Sequence, residues 1–446
     1  MNKSKLHSRL TILNIINDSI LSNKPLRLIY EKYFSKTKFS NVDRRFITEV
    51  SKGTIRMFKR IDFELSRYYK GKLRKLEIKY LNILRMAVYQ IRYMNKIPSY
   101  AIVSTSVEIT KKMFPKYSSI TNGLLRNMIE NSLEIQAPTD KDSVDYISKY
   151  YSHPEWLVQK WLQEYGFSSL IALLEYNNKP PKTWFRYNNE KINFSSIKEL
   201  LGVCDENISQ HDYLDNFFSI SSNLSELFDH DIFFKKDIMV QSLTNGLIIK
   251  LLNPVKGEEI LDICAAPGGK TLSLSQSVGL SGRVHSYDID LERIKTIFNN
   301  VKNYNVKNVS IEHADVSIHE LKLSKKMMID VPCLGTGTIA KNADLRWKKK
   351  REDLRALARS QEDILRNCSK YLKPNGILVY STCSIEDEEN WMIIDKFLHD
   401  YPNYKIDNAN KFVDNKFTDN RGAINIKPYT HNIDGGFAVR LVNNAC

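Results

Sequence analysis

The 446-residue sequence predicts a multidomain protein: an all-α N-terminal bundle, a small α+β middle region and a C-terminal doubly wound α/β domain. Three observations predict it. From Arg9 to about Met128, apolar residues recur at helical spacing, as in Leu81, Leu84, Val88 and Ile91. After Gly257 the texture changes to short apolar strands alternating with amphipathic helices, the pattern of a parallel sheet covered on both faces. The net charge of +15 is confined to one end: residues 1–100 hold 23 Lys or Arg against 7 Asp or Glu, and the remaining 346 hold 43 against 44.

In the bundle, Asn41-Val42-Asp43 announces a helix and Ile97-Pro98-Ser99 a break. Its basic field favours a polyanion, bound through phosphate neutralisation and counterion release. Solubility charge is the bland alternative. Gln136-Ala137-Pro138-Thr139-Asp140 reads as a linker, so the first domain spans 1–138. The middle region, 141–250, mixes a helix (His153 to Tyr165) with short strands, and the catalytic domain takes 251–446. Its expected strands are Glu259–Cys264, Arg283–Ile289, Val309–His313, Met327–Val331, Gly376–Ser381 and Phe437–Val442. Its expected helices are Lys270–Ser277, Leu291–Tyr304, Arg351–Leu372 and Glu386–His399. Ligands of such sheets bind at the carboxyl ends of the strands.

The first strand runs into Cys264-Ala265-Ala266-Pro267-Gly268-Gly269-Lys270, whose small residues let backbone approach a ligand at a helix N-terminus. The Gly269-Lys270-Thr271 ending resembles a phosphate loop, but that motif needs glycine where Cys264 stands, and no G-x-G-x-x-G is present. Asp288 ends the second strand, where a carboxylate can hold ribose hydroxyls, and Asp315 follows the third, near an adenine edge. Each acid alone is as readily a helix cap. Their ordered combination suits S-adenosylmethionine.

Cys333, in Asp330-Val331-Pro332-Cys333-Leu334-Gly335-Thr336-Gly337, follows the fourth strand, and Cys383, in Thr382-Cys383-Ser384, follows the fifth. Either thiol alone reads as a small core hydrophobe. Adjacent fourth and fifth strands bring both to one rim, with Cys383 expected near the N-terminus of the Glu386–His399 helix. Chemistry that uses two cysteines without joining them in a disulfide is a short list, and one member fits this arrangement. A thiolate adds to carbon 6 of cytosine, carbon 5 then takes a methyl group, and a second group assists elimination. Asp330 can hydrogen-bond the cytosine ring nitrogen and exocyclic amine. Spacing does not choose between the thiols.

Asp262 to Thr271, Asp330 to Gly337 and Thr382 to Ser384 resemble the D-x-C-A-A-P-G-G-K-T, D-A-P-C-S-G-T-G and T-C-S loops of the Sun/Fmu-type RNA cytosine-5 methyltransferases, whose catalytic domain is Rossmann-like. The resemblance implies Cys383 as nucleophile and Cys333 as the releasing cysteine. It also implies contacts of Cys264 to Lys270, Asp288, Asp315 and Asp330 with S-adenosylmethionine or the target base. Asp43-Arg44-Arg45-Phe46, Gly53-Thr54-Ile55-Arg56, Ile83-Leu84-Arg85 and Asn122-Gly123-Leu124-Leu125-Arg126 resemble the NusB-like RNA-binding domain. That fusion is typical of the RsmB-like bacterial enzymes acting on 16S ribosomal RNA. His153-Pro154-Glu155-Trp156, Pro180 to Arg186 and Asp434-Gly435-Gly436-Phe437 resemble their middle region and closing strand. Val331, Leu334, Lys325-Lys326 and Ser242 depart from the family pattern.

The expected partner is therefore 16S ribosomal RNA or a small-subunit precursor. Transfer RNA methylation, or RNA binding without turnover, are the alternatives. With no C-x-x-C pair among six cysteines and no apolar run near the roughly 18 residues of a membrane span, the chain is expected to be a cytoplasmic monomer without metal or membrane.

Overall fold

A computed structural model of the chain describes residues 3–22, 24–202, 205–221 and 237–445; Cys204 and Cys446 lie outside them. Two compact units result: 1–180 with 339–349, and 181–338 with 350–446.

The first unit is helical. Its bundle core is built from Ile12, Ile16, Ile47, Val50, Ile83, Leu84 and Leu125, all fully buried. The helix expected after Asn41-Val42-Asp43 is Asn41–Arg56 and takes those three residues into its first turn, because Ser40 is the cap, its side chain accepting from the Asp43 amide. The break at Pro98 falls between helices Ile78–Tyr93 and Ser99–Met113. Helix Glu155–Asn178 is two helices meeting at Gly166, whose φ of 73° lies in the region that glycine enters without a Cβ penalty.

The segment 339–349 completes this unit from about 300 residues away in sequence. Arg346 is fully buried and donates to Ser152 O (3.0 Å), Asn178 Oδ1 (2.8 Å) and Asn177 O (2.9 Å). Trp347 Nε1 donates to Ile55 O at 2.7 Å, Arg56 Nη2 to Ala340 O at 3.1 Å, and the Leu26 amide to Asp344 Oδ2 at 3.0 Å. Burial pushes the Arg346 guanidinium well below its usual pKa, with Arg56 adding repulsion. Arg346→Ala leaves three acceptors without their donor, and we expect about 3 kcal/mol of destabilisation. Urea unfolding followed by intrinsic fluorescence checks this, read on the transition of the helical unit.

The second unit holds two sheets. A four-stranded antiparallel sheet, ordered β2-β3-β1-β4, comprises β1 (Trp184–Tyr187), β2 (Ile208–His211), β3 (Leu214–Ile220) and β4 (Ile238–Val240). With helix Phe194–Leu201 it forms the small α+β region. The larger sheet runs β10-β12-β9-β8-β5-β6-β7, with β11 paired to β12. Here β5 is Glu259–Ile263, β6 Arg283–Asp288, β7 Val309–His313, β8 Ser324–Asp330 and β9 Leu372–Thr382. The last three are β10 (Tyr404–Ile406), β11 (Ile424–Ile426) and β12 (Gly436–Asn443).

Strands β7, β6, β5, β8 and β9 are mutually parallel, and buried residues pack against both faces of the sheet. The final strand, expected within a parallel sheet, runs antiparallel beside β9. The sheet is therefore mixed, and β10 and β11 are strands that hydropathy did not announce because each is three residues long. Strand order reverses at β5 and β8, since β6 and β7 add on one side and β9 on the other, and this opens a crevice at their carboxyl ends.

Candidate active site

The β5 loop opens into helix Gly269–Val278 through Cys264 (φ 59°) and Gly268 (φ 97°), both left-handed. This turns the loop back over the strand ends. The Asp288 carboxylate, 2% exposed, holds it there: Oδ2 accepts from the Ala266 amide at 3.0 Å and Oδ1 from the Asp290 amide at 3.1 Å. Arg293 clasps the outside, donating to Ala266 O at 2.7 Å, and Asn300 donates to Pro267 O at 2.8 Å. Asp290, not singled out in the sequence, caps the next helix by accepting from the Glu292 and Arg293 amides. Asp315 is exposed beyond β7 and accepts from the Ser317 amide and hydroxyl (3.1 and 2.6 Å). Both expected acids thus shape loops at the rim.

Beside this loop, β8 delivers Asp330. Lys270 Nζ lies 2.7 Å from Asp330 Oδ2, and Ser381 Oγ donates to Oδ1 at 2.9 Å, so the carboxylate is fixed from both sides. Behind it, the fully buried Asp262 accepts from Thr271 Oγ1 at 2.6 Å. Burial pushes its carboxyl up to about 7.

Neighbouring β8 and β9 bring the cysteines together: Cys333 Sγ and Cys383 Sγ are 3.1 Å apart. They are not equivalent. Cys383 is exposed and Cys333 half-buried. The hydrogen bond with Cys383, followed by burial, holds the Cys333 thiol well above its usual pKa. Burial does the same to Cys264.

The expected helix Glu386–His399 is corrected. A three-residue 3₁₀ turn, Asp387–Glu389, precedes a helix that begins only at Trp391, because Asn390 (φ −116°, ψ −102°) breaks the helical path. Cys383 therefore does not sit at a helix N-terminus.

That break places Glu389, which sequence reasoning missed, beneath the Cys333 loop. Fully buried, it accepts from the Leu334 amide (2.9 Å to Oε1) and from Gln361 Nε2 (2.9 Å). Gln361 Nε2 also donates to Pro332 O at 2.9 Å, and Tyr380 OH donates to Glu389 O at 2.7 Å. Burial pushes the Glu389 carboxyl up to about 7. An acid in an acidic run gives no sequence signal for this.

The departures from the family pattern are accommodated. Val331 and Leu334 are buried, and Lys326 donates to Asn253 O and Glu258 Oε2, each at 2.7 Å. Ser242 precedes helix Leu243–Leu252 without a side-chain cap bond.

Family models match three stretches. Residues 249–442 match the 16S rRNA methyltransferase RsmB/F family, 7–130 the NusB family, and 153–223 the RsmF/B-like ferredoxin-like domain. The probable ribosomal RNA small subunit methyltransferase B of Bacillus subtilis is 27% identical over 385 residues, 85% of each chain. The ribosomal RNA small subunit methyltransferase B of Photorhabdus laumondii is 28% identical over 418 residues, covering 91% of this chain and 92% of that one. The crystal structure of PH0851 superposes with a TM-score of 0.78 over 97% of both chains at 23% identity, which shows the shared fold.

Proposed function

Because residues 249–442 match the RsmB/F methyltransferase family and residues 7–130, ahead of them, the NusB family, we propose that the chain methylates carbon 5 of a cytosine in 16S ribosomal RNA through a covalent cysteine adduct. The observation that carries this reading is the unbonded cysteine pair at 3.1 Å, next to an Asp330 carboxylate fixed by Lys270 and Ser381. The chain is an S-adenosylmethionine-dependent RNA methyltransferase. We assign residues 1–138 to RNA binding, 141–250 to the small α+β region and 251–446 to catalysis. The chain acts as a cytoplasmic monomer without metal in this reading. Among the described residues, no helix is long and apolar enough to cross a membrane.

The β5 loop fits the cofactor. A Cβ built on Gly269 meets no atom within 4 Å, so open space faces the start of the helix, where first-turn amides lack intrahelical acceptors. Cys264 to Lys270 would line that space, with Asp288 holding its shape and Asp315 at its far edge. When bound, S-adenosylmethionine supplies an electrophilic methyl group.

In this reading the target nucleotide leaves its stack to reach the cysteine rim. The Cys383 thiolate adds to carbon 6, and the electron pair shifts toward carbon 5 and the ring, where Asp330 stabilises the change at the ring nitrogen and amine. Carbon 5 would then take the methyl group that bound S-adenosylmethionine supplies, the sulfonium leaving as a neutral thioether. The carbon-5 proton then passes to the Cys333 sulfur acting as base, its electron pair returns to the carbon 5–carbon 6 bond, and the sulfur–carbon 6 bond breaks back onto Cys383. Once the Cys383 sulfur is a thioether it carries no charge to repel a Cys333 thiolate, so one of the causes that hold the Cys333 thiol up is removed while its burial remains. Its proton is then released more readily, which suits a group that assists elimination.

The exposed Lys70, Lys72, Arg74 and Lys75 are part of the basic field we assign to RNA. The test is bisulfite sequencing of 16S ribosomal RNA from cells with and without the gene, paired with methylation of 30S particles and transfer RNA by the full-length chain. We expect one 16S cytosine to lose its methyl group without the gene. Methylation of transfer RNA alone would overturn the assignment.

A further inference from the structure

The Arg351–Ser369 helix carries Arg351, Arg355 and Arg359 at i, i+4 and i+8, which places them on one face. All three are exposed, and none has an ion pair among the described residues. They border a cavity of about 580 Å³ between this helix and the Trp391–Asp400 helix. Ala358 and Met392, the latter 56% exposed, give the cavity apolar surface. Two acids also line it: Glu362, which is paired with Lys396, and the half-buried Glu388, against three arginines and Lys396. Nothing in the cofactor loop or the cysteine rim uses this groove.

Its position is what gives it meaning. Gln361, one turn along the same helix from Ala358, donates to Pro332 O, the residue before Cys333. In this parallel fold the helix leads back into β9, so its N-terminal half, with all three arginines, lies toward the end of the sheet that carries the cysteines. Successive arginines rise about 6 Å along the axis, a step that suits neighbouring phosphates of an extended strand.

We infer that this groove is a binding site for single-stranded RNA flanking the target cytosine, the three guanidiniums taking phosphates and Met392 lying against a base. The inference rests on the RNA methyltransferase reading and adds a substrate site on the catalytic unit to the basic bundle. A planar guanidinium can grip a phosphate with two N–H groups, and a strand threaded here would hold the nucleotides beside the flipped base while chemistry proceeds. An unpaired cationic row is also disfavoured as mere solubility charge, because its like charges repel along one helix face.

The test uses the full-length chain with transcribed 16S ribosomal RNA. For R351Q/R355Q/R359Q we expect RNA affinity to fall at least about tenfold at 0.15 M salt. The slope of log K against log salt should shrink by about 2, since each single-strand phosphate no longer neutralised removes roughly 0.7 from it. KM for RNA should rise to match, with kcat at saturating RNA and S-adenosylmethionine affinity within about twofold of the parent. R351K/R355K/R359K keeps the charge and should retain the parent slope, which separates phosphate neutralisation from a folding defect. An unchanged slope and KM in the glutamine variant would overturn the site. Failure of the wild-type chain to methylate any RNA would overturn the functional reading instead, and the salt slopes would still decide the groove.

Discussion

If Cys383 attacks as proposed, Cys383→Ala is expected to lower methyl transfer at least about 10⁴-fold and to leave no covalent RNA complex. Cys333→Ala is expected to form the adduct, transfer the methyl group and then stall, because elimination loses its assisting group. Denaturing gels of each variant with labelled 16S ribosomal RNA check both: a shifted band that accumulates only with Cys333→Ala is the expected result. The sulfurs are 3.1 Å apart, so the geometry alone serves either order. The asymmetry lies in surroundings: Cys383 faces solvent, and Cys333 is half-buried with its thiol held well above its usual pKa by the hydrogen bond with Cys383 and by burial. A trapped adduct with Cys383→Ala would reverse the assignment.

The second large effect is expected at Glu389. Its carboxyl is raised by burial from an ordinary value near 4.5 to about 7. A raised acid favours the folded state in its protonated form, so this contribution is complete below about pH 4.5 and is lost as pH rises through about 7. The swing is about 3 kcal/mol. Asp262, raised to about 7 by the same cause, acts in the same direction.

Glu389→Gln keeps an acceptor for the Leu334 amide and Gln361 but cannot ionise. It is expected to flatten the fall in stability between pH 5 and 8 and to be more stable than the parent at pH 8, checked by urea midpoints across that range. Glu389→Ala removes the acceptor and frees the Pro332 to Leu334 loop. We expect kcat to drop by about 10²-fold, with adduct accumulating as it does for Cys333→Ala. Near-parental turnover of the alanine variant would show that the loop holds its place without Glu389.

Much of the catalytic unit was legible because its signals are local. Strands β5 to β9 are apolar runs bounded by turn residues, and each expected strand from Glu259 to Ser381 appears within a few residues of its reading. The loops are legible for the same reason: Cys264 to Lys270 and Asp330 to Gly337 are contiguous, so their small residues and reactive groups can be seen without knowing what they face. One slip in the site itself came from a single backbone decision. Asn390 breaks the expected helix after Cys383, although helical periodicity runs through it.

By itself the sequence determined the order of elements, the basic N-terminal bundle and the placing of both cysteines at strand ends, all set by residues within a few positions of one another. The tertiary structure alone decided which cysteine is open to solvent, that Glu389 and Gln361 pin the Cys333 loop, and that 339–349 completes the helical unit through the buried Arg346. These contacts join residues 29 to 194 positions apart, and no local pattern encodes them. They arise when burial removes water from a polar group and leaves a distant partner to satisfy it.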